Sequence, residues 1–167
     1  MQPFFGIILL VAYATKEVYM NRITRWISLL ERCTMEYRSN EICDIDISPC
    51  HHVYIYCLCN NPGVSQENLT QMIHINKSNV TRSLKILQDQ GYIYKKTDES
   101  DKRILRIYPT EKAFDLLPKL REKMQCWNEV IMDGFTEEEQ ILLFNLLKKT
   151  AINACNYTNK KYVEVDN

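Results

Sequence analysis

Glycine is scarce, with 4 in 167 residues, and no glycine-rich loop able to cradle a nucleotide phosphate can be found. A nucleophile elbow and a paired-carboxylate motif are missing too. No enzymatic activity is therefore expected. Nor does the chain contain the run of about 20 apolar residues that a membrane-spanning helix needs. An excess of either charge is also lacking: 21 lysines and arginines balance 21 aspartates and glutamates, so the whole chain carries no polyelectrolyte signal for nucleic acid or membrane. Repeats and low-complexity tracts are absent. The length suits one domain with one core.

What is there is unevenly placed. Residues 76–108 hold 8 basic side chains (Lys77, Arg82, Lys85, Lys95, Lys96, Lys102, Arg103, Arg106) against 4 acidic ones (Asp89, Asp98, Glu99, Asp101). That segment is net +4 and the remainder net −4. The 7 cysteines are odd in number and lack the short regular spacing of a secreted disulfide scaffold, which implies a reducing, cytoplasmic setting. An apolar run over residues 3–14 is too short to span a bilayer. It has no basic residue ahead of it, and Tyr13-Ala14-Thr15 is a poor cleavage site for an export signal. Two readings of residues 1–19 stay open. They extend the first helix into a hydrophobic dimer interface, or they precede a natural start at Met20.

From residue 20 to 38, Ile23, Trp26, Ile27, Leu30 and Met35 recur at three- and four-residue steps among charged residues, an amphipathic helix. A polar linker follows. Ser48-Pro49 then opens a short apolar helix to about Cys59, with serine as N-cap and proline at the first helical position. Asn60-Asn61-Pro62-Gly63 is a turn. Ser65 caps the next helix, in which Leu69, Met72 and Ile73 form the buried stripe. After a break at 74–76 a further helix runs to Gln90 and stops at Gly91. Val80, Leu84 and Leu87 fall on one of its sides, and Ser78, Thr81, Arg82 and Lys85 on the other, with Lys77 beside them. The flanks 92–96 and 102–108 read as a two-stranded ribbon with a long polar tip. From Thr110 the chain returns to helix, with Phe114, Leu117, Leu120, Met124, Trp127 and Ile131 on one stripe and a kink expected at Pro118. Thr136 to Glu139 matches a capping box ahead of an apolar helix to about Cys155.

The order helix, helix, tight turn, helix, ribbon is that of a winged helix-turn-helix. A helix enters the major groove only if its outward face is small and polar or basic, as Ser78, Thr81, Arg82 and Lys85 are. A solvated surface helix would show the same face. The ribbon tip with Lys95, Lys96, Lys102 and Arg103 shifts the balance, because it has no core function. The stretch from Leu69 to Arg82, with Leu84, Leu87, Gly91-Tyr92-Ile93, Asp101-Lys102-Arg103 and Thr110-Glu111-Lys112, resembles the MarR family of multiple-antibiotic-resistance-type regulators over roughly residues 48–114. His74, Ile86, Pro109 and Ala113 depart from the family pattern.

The resemblance implies a mainly α fold with a small β-wing, a winged helix-turn-helix flanked by N- and C-terminal dimerisation helices. The expected divisions are an apolar extension (1–19), a dimerisation helix and linker (20–47), the DNA-binding head (48–109), dimerisation helices (110–157) and a tail (158–167). It implies a recognition helix from Asn76 to Asp89 that includes Asn79, and a wing in which Asp101 holds Arg103 for entry into a minor groove. A local turn salt bridge is the plainer reading of that pair. The partners implied are a second copy of the chain, a pseudo-palindromic double-stranded DNA operator, and a small phenolic or lipophilic effector or an oxidant; the action implied is repression. The alternative is a winged-helix protein–protein adaptor without DNA binding. Cys50, in a first helical turn where the dipole favours thiolate, is either a redox sensor or a buried structural thiol. Trp26, Tyr54, Tyr56 and Trp127 line an effector cleft or pack the core. No metal or other cofactor is expected: His51, His52, Cys57 and Cys59 are close in sequence, but His52 and Cys59 would lie about 10 Å apart on one helix, too far to share a zinc ion.

Overall fold

A computed structural model describes residues 4–42, 46–158 and 160, with side chains from Arg22 onward. The linker residues 43–45, most of the expected tail and the side chains of the apolar run lie outside the described residues. The chain divides into two units, residues 1–40 and 41–167. The first is helix α1 (Phe4–Glu41). Its start is earlier than the periodicity from residue 20 suggests, and residues 4–19 extend the first helix; no proline or glycine interrupts it after Gly6. Ile23, Trp26, Ile27, Leu30 and Met35, the apolar stripe, are all exposed.

The second unit begins with a 3-10 turn (Pro49–His51) leading into α2 (His52–Asn60). Pro49 takes the first helical position as expected, but the Ser48 hydroxyl caps nothing; it lies 3.2 Å from Cys50 Sγ instead. Then come β1 (Val64–Ser65), α3 (Gln66–Ile73), α4 (Lys77–Asp89), β2 (Ile93–Thr97), β3 (Leu105–Pro109), α5 (Glu111–Ile131) and α6 (Glu137–Tyr157). Ser65 caps α3 by accepting from the Asn68 amide at 3.2 Å. Thr136 and Glu139 form the complete capping box of α6. α5 continues through Pro118, which is exposed, so water can reach the carbonyl that the missing N–H leaves unpaired.

The sheet has three strands in the order β1-β3-β2, all antiparallel, where the sequence suggested two. Two residues are too few to show an alternating pattern. β1 exists because β3 offers a free edge at Ile107 and Arg106. The core of this unit gathers Tyr54, Ile55 and Leu58 from α2, Leu69 from α3, Val80, Leu84 and Leu87 from α4, Ile107 from β3, and Leu117 and Leu120 from α5. Tyr54 is thus a core residue and not a cleft lining. α6 buries none of its side chains, and Ile141, Leu142, Phe144, Leu146 and Leu147 are exposed.

Gly63 closes the turn into β1 with φ +83°, and a Cβ built there would stand 3.1 Å from the Tyr108 ring. Gly63→Ala should therefore lower stability by about 1–2 kcal/mol, the cost of a left-handed alanine, with more from the contact. Thermal unfolding checks this, and an unchanged Tm would show that the turn relaxes freely.

Candidate nucleic-acid interface

α4 is held by the side chains it buries. Val80, Leu84 and Leu87 are fully buried, and the four- and three-residue steps between them leave one complementary face outside. On it Lys77, Ser78, Asn79, Thr81, Arg82 and Lys85 are all exposed. The helix opens on Asn76, whose side-chain oxygen accepts from the Ser78 amide at 3.0 Å and from the Ser78 hydroxyl at 2.6 Å. Asn76 therefore caps the helix, and the Ser78 hydroxyl helps to hold the capping oxygen in place. At the far end Lys112 donates to the Gln90 carbonyl at 2.8 Å and lies 4.1 Å from the centre of the Tyr92 ring. A cation suits the negative end of the helix. Thr110 caps α5 with no side-chain bond; its hydroxyl shares its one proton between Gly91 O and Tyr92 O, at 2.8 and 3.0 Å. The Thr110-Glu111-Lys112 triplet thus fastens the exit of α4.

The wing is ordered by carboxylates at its tip. Asp98 accepts from Ser100 N, Ser100 Oγ and Asp101 N, and from Arg106 Nε at 2.5 Å. Arg106 reaches on to the Gly63 carbonyl at 3.2 Å, joining the tip to the turn before β1. Lys96 and Arg106 are direct cross-strand partners, an unfavourable like-charge pair. Each has its own carboxylate: Glu99 at 3.0 Å from Lys96, and Asp98 on Arg106. Tyr94 and Tyr108, also opposite, stack with centroids 5.3 Å apart and add to the register.

Beyond this turn Asp101 grips Arg103 through Nε at 3.2 Å, Nη2 at 3.3 Å and the backbone amide at 3.0 Å. The Arg103 side chain is 90% exposed, so an oriented cation stands at the tip. Lys102 is exposed beside it and Lys95 half-buried in β2. The structure brings the expected side chains onto two surfaces of one unit. Asp98 and Arg106, which order the wing, were not among the site residues expected from the sequence. The Asp-x-Ser order at 98–100 is a turn signal that could have disclosed the first.

Residues 47–105 match the MarR family. The chain is 34% identical over 134 residues to the uncharacterized HTH-type transcriptional regulator YybA of Bacillus subtilis (strain 168), covering 80% of this chain and 89% of that protein. The chain belongs to the MarR family. The crystal structure of the transcriptional regulator SlyA superposes with a TM-score of 0.77 at 30% identity, over 80% of this chain and 94% of that one. A MarR-family regulator from Listeria monocytogenes, solved in complex with 26mer DNA, gives 0.78 at 28% identity, over 85% and 97%. This MarR-family chain is accordingly a transcriptional regulator with a winged-helix fold.

Three further groups were weighed as sites. Cys57 and Cys59 are buried, and burial pushes both thiols up to about 11. His51 is buried, and desolvation lowers its pKa; His52 Nδ1 is engaged with the Pro49 carbonyl at 2.8 Å. Cys50 is exposed, which overturns the reading of it as a buried structural thiol, because the 3-10 turn holds it outside the core.

The Ser100 hydroxyl, then Arg106 and the two amides, hold the Asp98 carboxyl well below the usual carboxylate range. A depressed folded value stabilises above the unfolded one, about 3.9, and the gain is lost only as pH falls through the folded value. Amides of the wing tip should thus keep their exchange protection from neutral pH down to about pH 4. In Asp98→Asn the Ser100 and Asp101 amides should exchange faster at every pH. Equal protection in both proteins would remove Asp98 from its organising role.

Proposed function

We propose that this MarR-family regulator binds double-stranded DNA sequence-specifically as a homodimer and represses transcription by occupying a pseudo-palindromic operator. α4 enters the major groove with Lys77, Asn79, Thr81, Arg82 and Lys85 toward the DNA, Asn76 and Ser78 shaping its entry. Arg103, held by Asp101, enters the adjacent minor groove, with Lys95, Lys96 and Lys102 near the phosphates. The observation that carries this reading is the polar and basic face of α4, left outside because Val80, Leu84 and Leu87 are in the core, together with an oriented, exposed arginine on the wing. The Listeria monocytogenes relative with bound 26mer DNA supports it. The dimer is supported by the apolar side chains exposed on α1 and α6, which need a cover in water. Two-fold symmetry then places half-sites about one helical turn apart.

The test is binding to the DNA upstream of the protein's own gene, titrated in salt beside a random duplex of equal length. Tight, salt-steep binding that favours the upstream DNA is expected. Arg82→Ala and Arg103→Ala should each cost roughly 1–3 kcal/mol in operator binding with dimerisation unchanged. Wild-type affinity in both variants would move the reading surface elsewhere, and equal weak binding to both duplexes would point to a protein–protein adaptor.

Of the responses implied for the family, oxidation has the firmer support here. Among Cys50, Cys57 and Cys59 of the head, Cys50 has the exposed thiol, at the entry to α2. Peroxide should weaken operator binding of the wild type severalfold and reversibly with dithiothreitol, while Cys50→Ser should not respond. Identical peroxide sensitivity in both would exclude Cys50.

A further inference from the structure

Thr81 stands on the outward face of α4, yet its hydroxyl is already engaged. Oγ1 donates its proton to the Lys77 carbonyl at 2.9 Å, one turn back. It also lies 2.7 Å from Gln66 Nε2, in the first turn of α3. A hydroxyl has one proton, and a carbonyl can only accept it, so the Gln66 amide must be the donor in the second bond.

Threonine in a helix divides between two rotamers, because its hydroxyl bonds the preceding turn in either. The Gln66 bond spans 15 residues and selects the one in which Oγ1 faces α3. The hydroxyl can then no longer donate to a base, and the methyl is the apolar part of an exposed side chain. In the major groove the apolar feature a methyl can meet is the 5-methyl of thymine.

We propose that Thr81 is a specificity-determining residue that recognises a thymine through its methyl group, and that Gln66 is the positioning residue that turns this methyl outward. The inference rests on α4 being the recognition helix.

The experiment uses full-length protein and a duplex selected by the wild type from a random-sequence pool, with each thymine replaced in turn by uracil, which lacks only the methyl. One thymine per half-site should lose roughly three- to fivefold in affinity on replacement, the worth of one buried methyl contact. Thr81→Val, which keeps the methyl, should retain that loss at the same position. Thr81→Ser, which keeps only the hydroxyl, should erase it. Gln66→Ala should shrink it, an effect that a purely stabilising glutamine would not produce. If uracil is harmless everywhere while Arg82→Ala still weakens binding, the Thr81 assignment is wrong and the reading of α4 survives. Thr81→Ser behaving as wild type while Thr81→Val fails would assign the contact to the hydroxyl and overturn the proposal. If Arg82→Ala also binds as wild type, or no duplex is selected, the recognition-helix reading fails and takes this inference with it.

Discussion

Everything the head presents depends on how α4 is seated. Val80, Leu84 and Leu87 are fully buried, and removing any one to alanine would cost on the order of 2–5 kcal/mol for a leucine and somewhat less for the valine. That energy acts as a rotational restraint. A helix with three buried anchors at these steps cannot turn about its axis without exposing one of them, so the outward set at 77, 78, 81, 82 and 85 is fixed as a consequence of core packing. Lys112 with Thr110 secures the exit of α4. The outward side chains of α4 therefore need few contacts of their own to be in place.

The wing obeys a different rule, because β2 and β3 have little core to hold them beyond Ile93 and Ile107. Polar contacts do the holding. Arg106 lies between Asp98 and Gly63 O, so a tip that could otherwise drift is tied to the turn that begins the helix-turn-helix. Gly63 in turn has to be glycine to admit the Tyr108 ring, and Tyr108 stacks on Tyr94. The wing and the entry to α3 are in effect one mechanical part, and the Asp101–Arg103 pair is mounted on it.

The order of helices, the two faces of α4, the serine and threonine caps of α3 and α6 and the Gly91 stop were legible because each is a local signal: a period, a cap or a left-handed residue. What was not legible is non-local. β1 has two residues and exists only through its partner β3. Gln66 meets Thr81 across a turn between helices. Asp98 looked like one more tip acid until Arg106, eight residues on, came back across the hairpin. His74 is a partial case. It ends α3 in the left-handed region with φ 55°, where glycine or asparagine is usual, so the break near 74 was visible from the sequence but its conformation was not.

The same geometry revises the charge of the head. The +4 counted along residues 76–108 treats every lysine and arginine alike, but Lys96, Arg103 and Arg106 each have a carboxylate partner. Among the described residues Lys77, Arg82, Lys85, Lys95 and Lys102 make no ion pair within the chain. These five carry no carboxylate partner, and they divide into three on α4 and two on the wing. The carboxylates on the paired cations serve geometry: Asp98 on Arg106 fixes the hairpin, Glu99 on Lys96 offsets the repulsion between Lys96 and Arg106, and Asp101 holds Arg103. Under the proposed DNA contact, a head with five unpaired cations would gain only modest non-specific affinity at physiological salt, since each neutralised phosphate contributes about 0.9 to the logarithmic salt slope. In the proposed dimer, two-fold symmetry would double that slope while leaving the oriented groups to choose the sequence, which is why the exposed apolar faces of α1 and α6 belong to the same functional argument as the proposed reading surface.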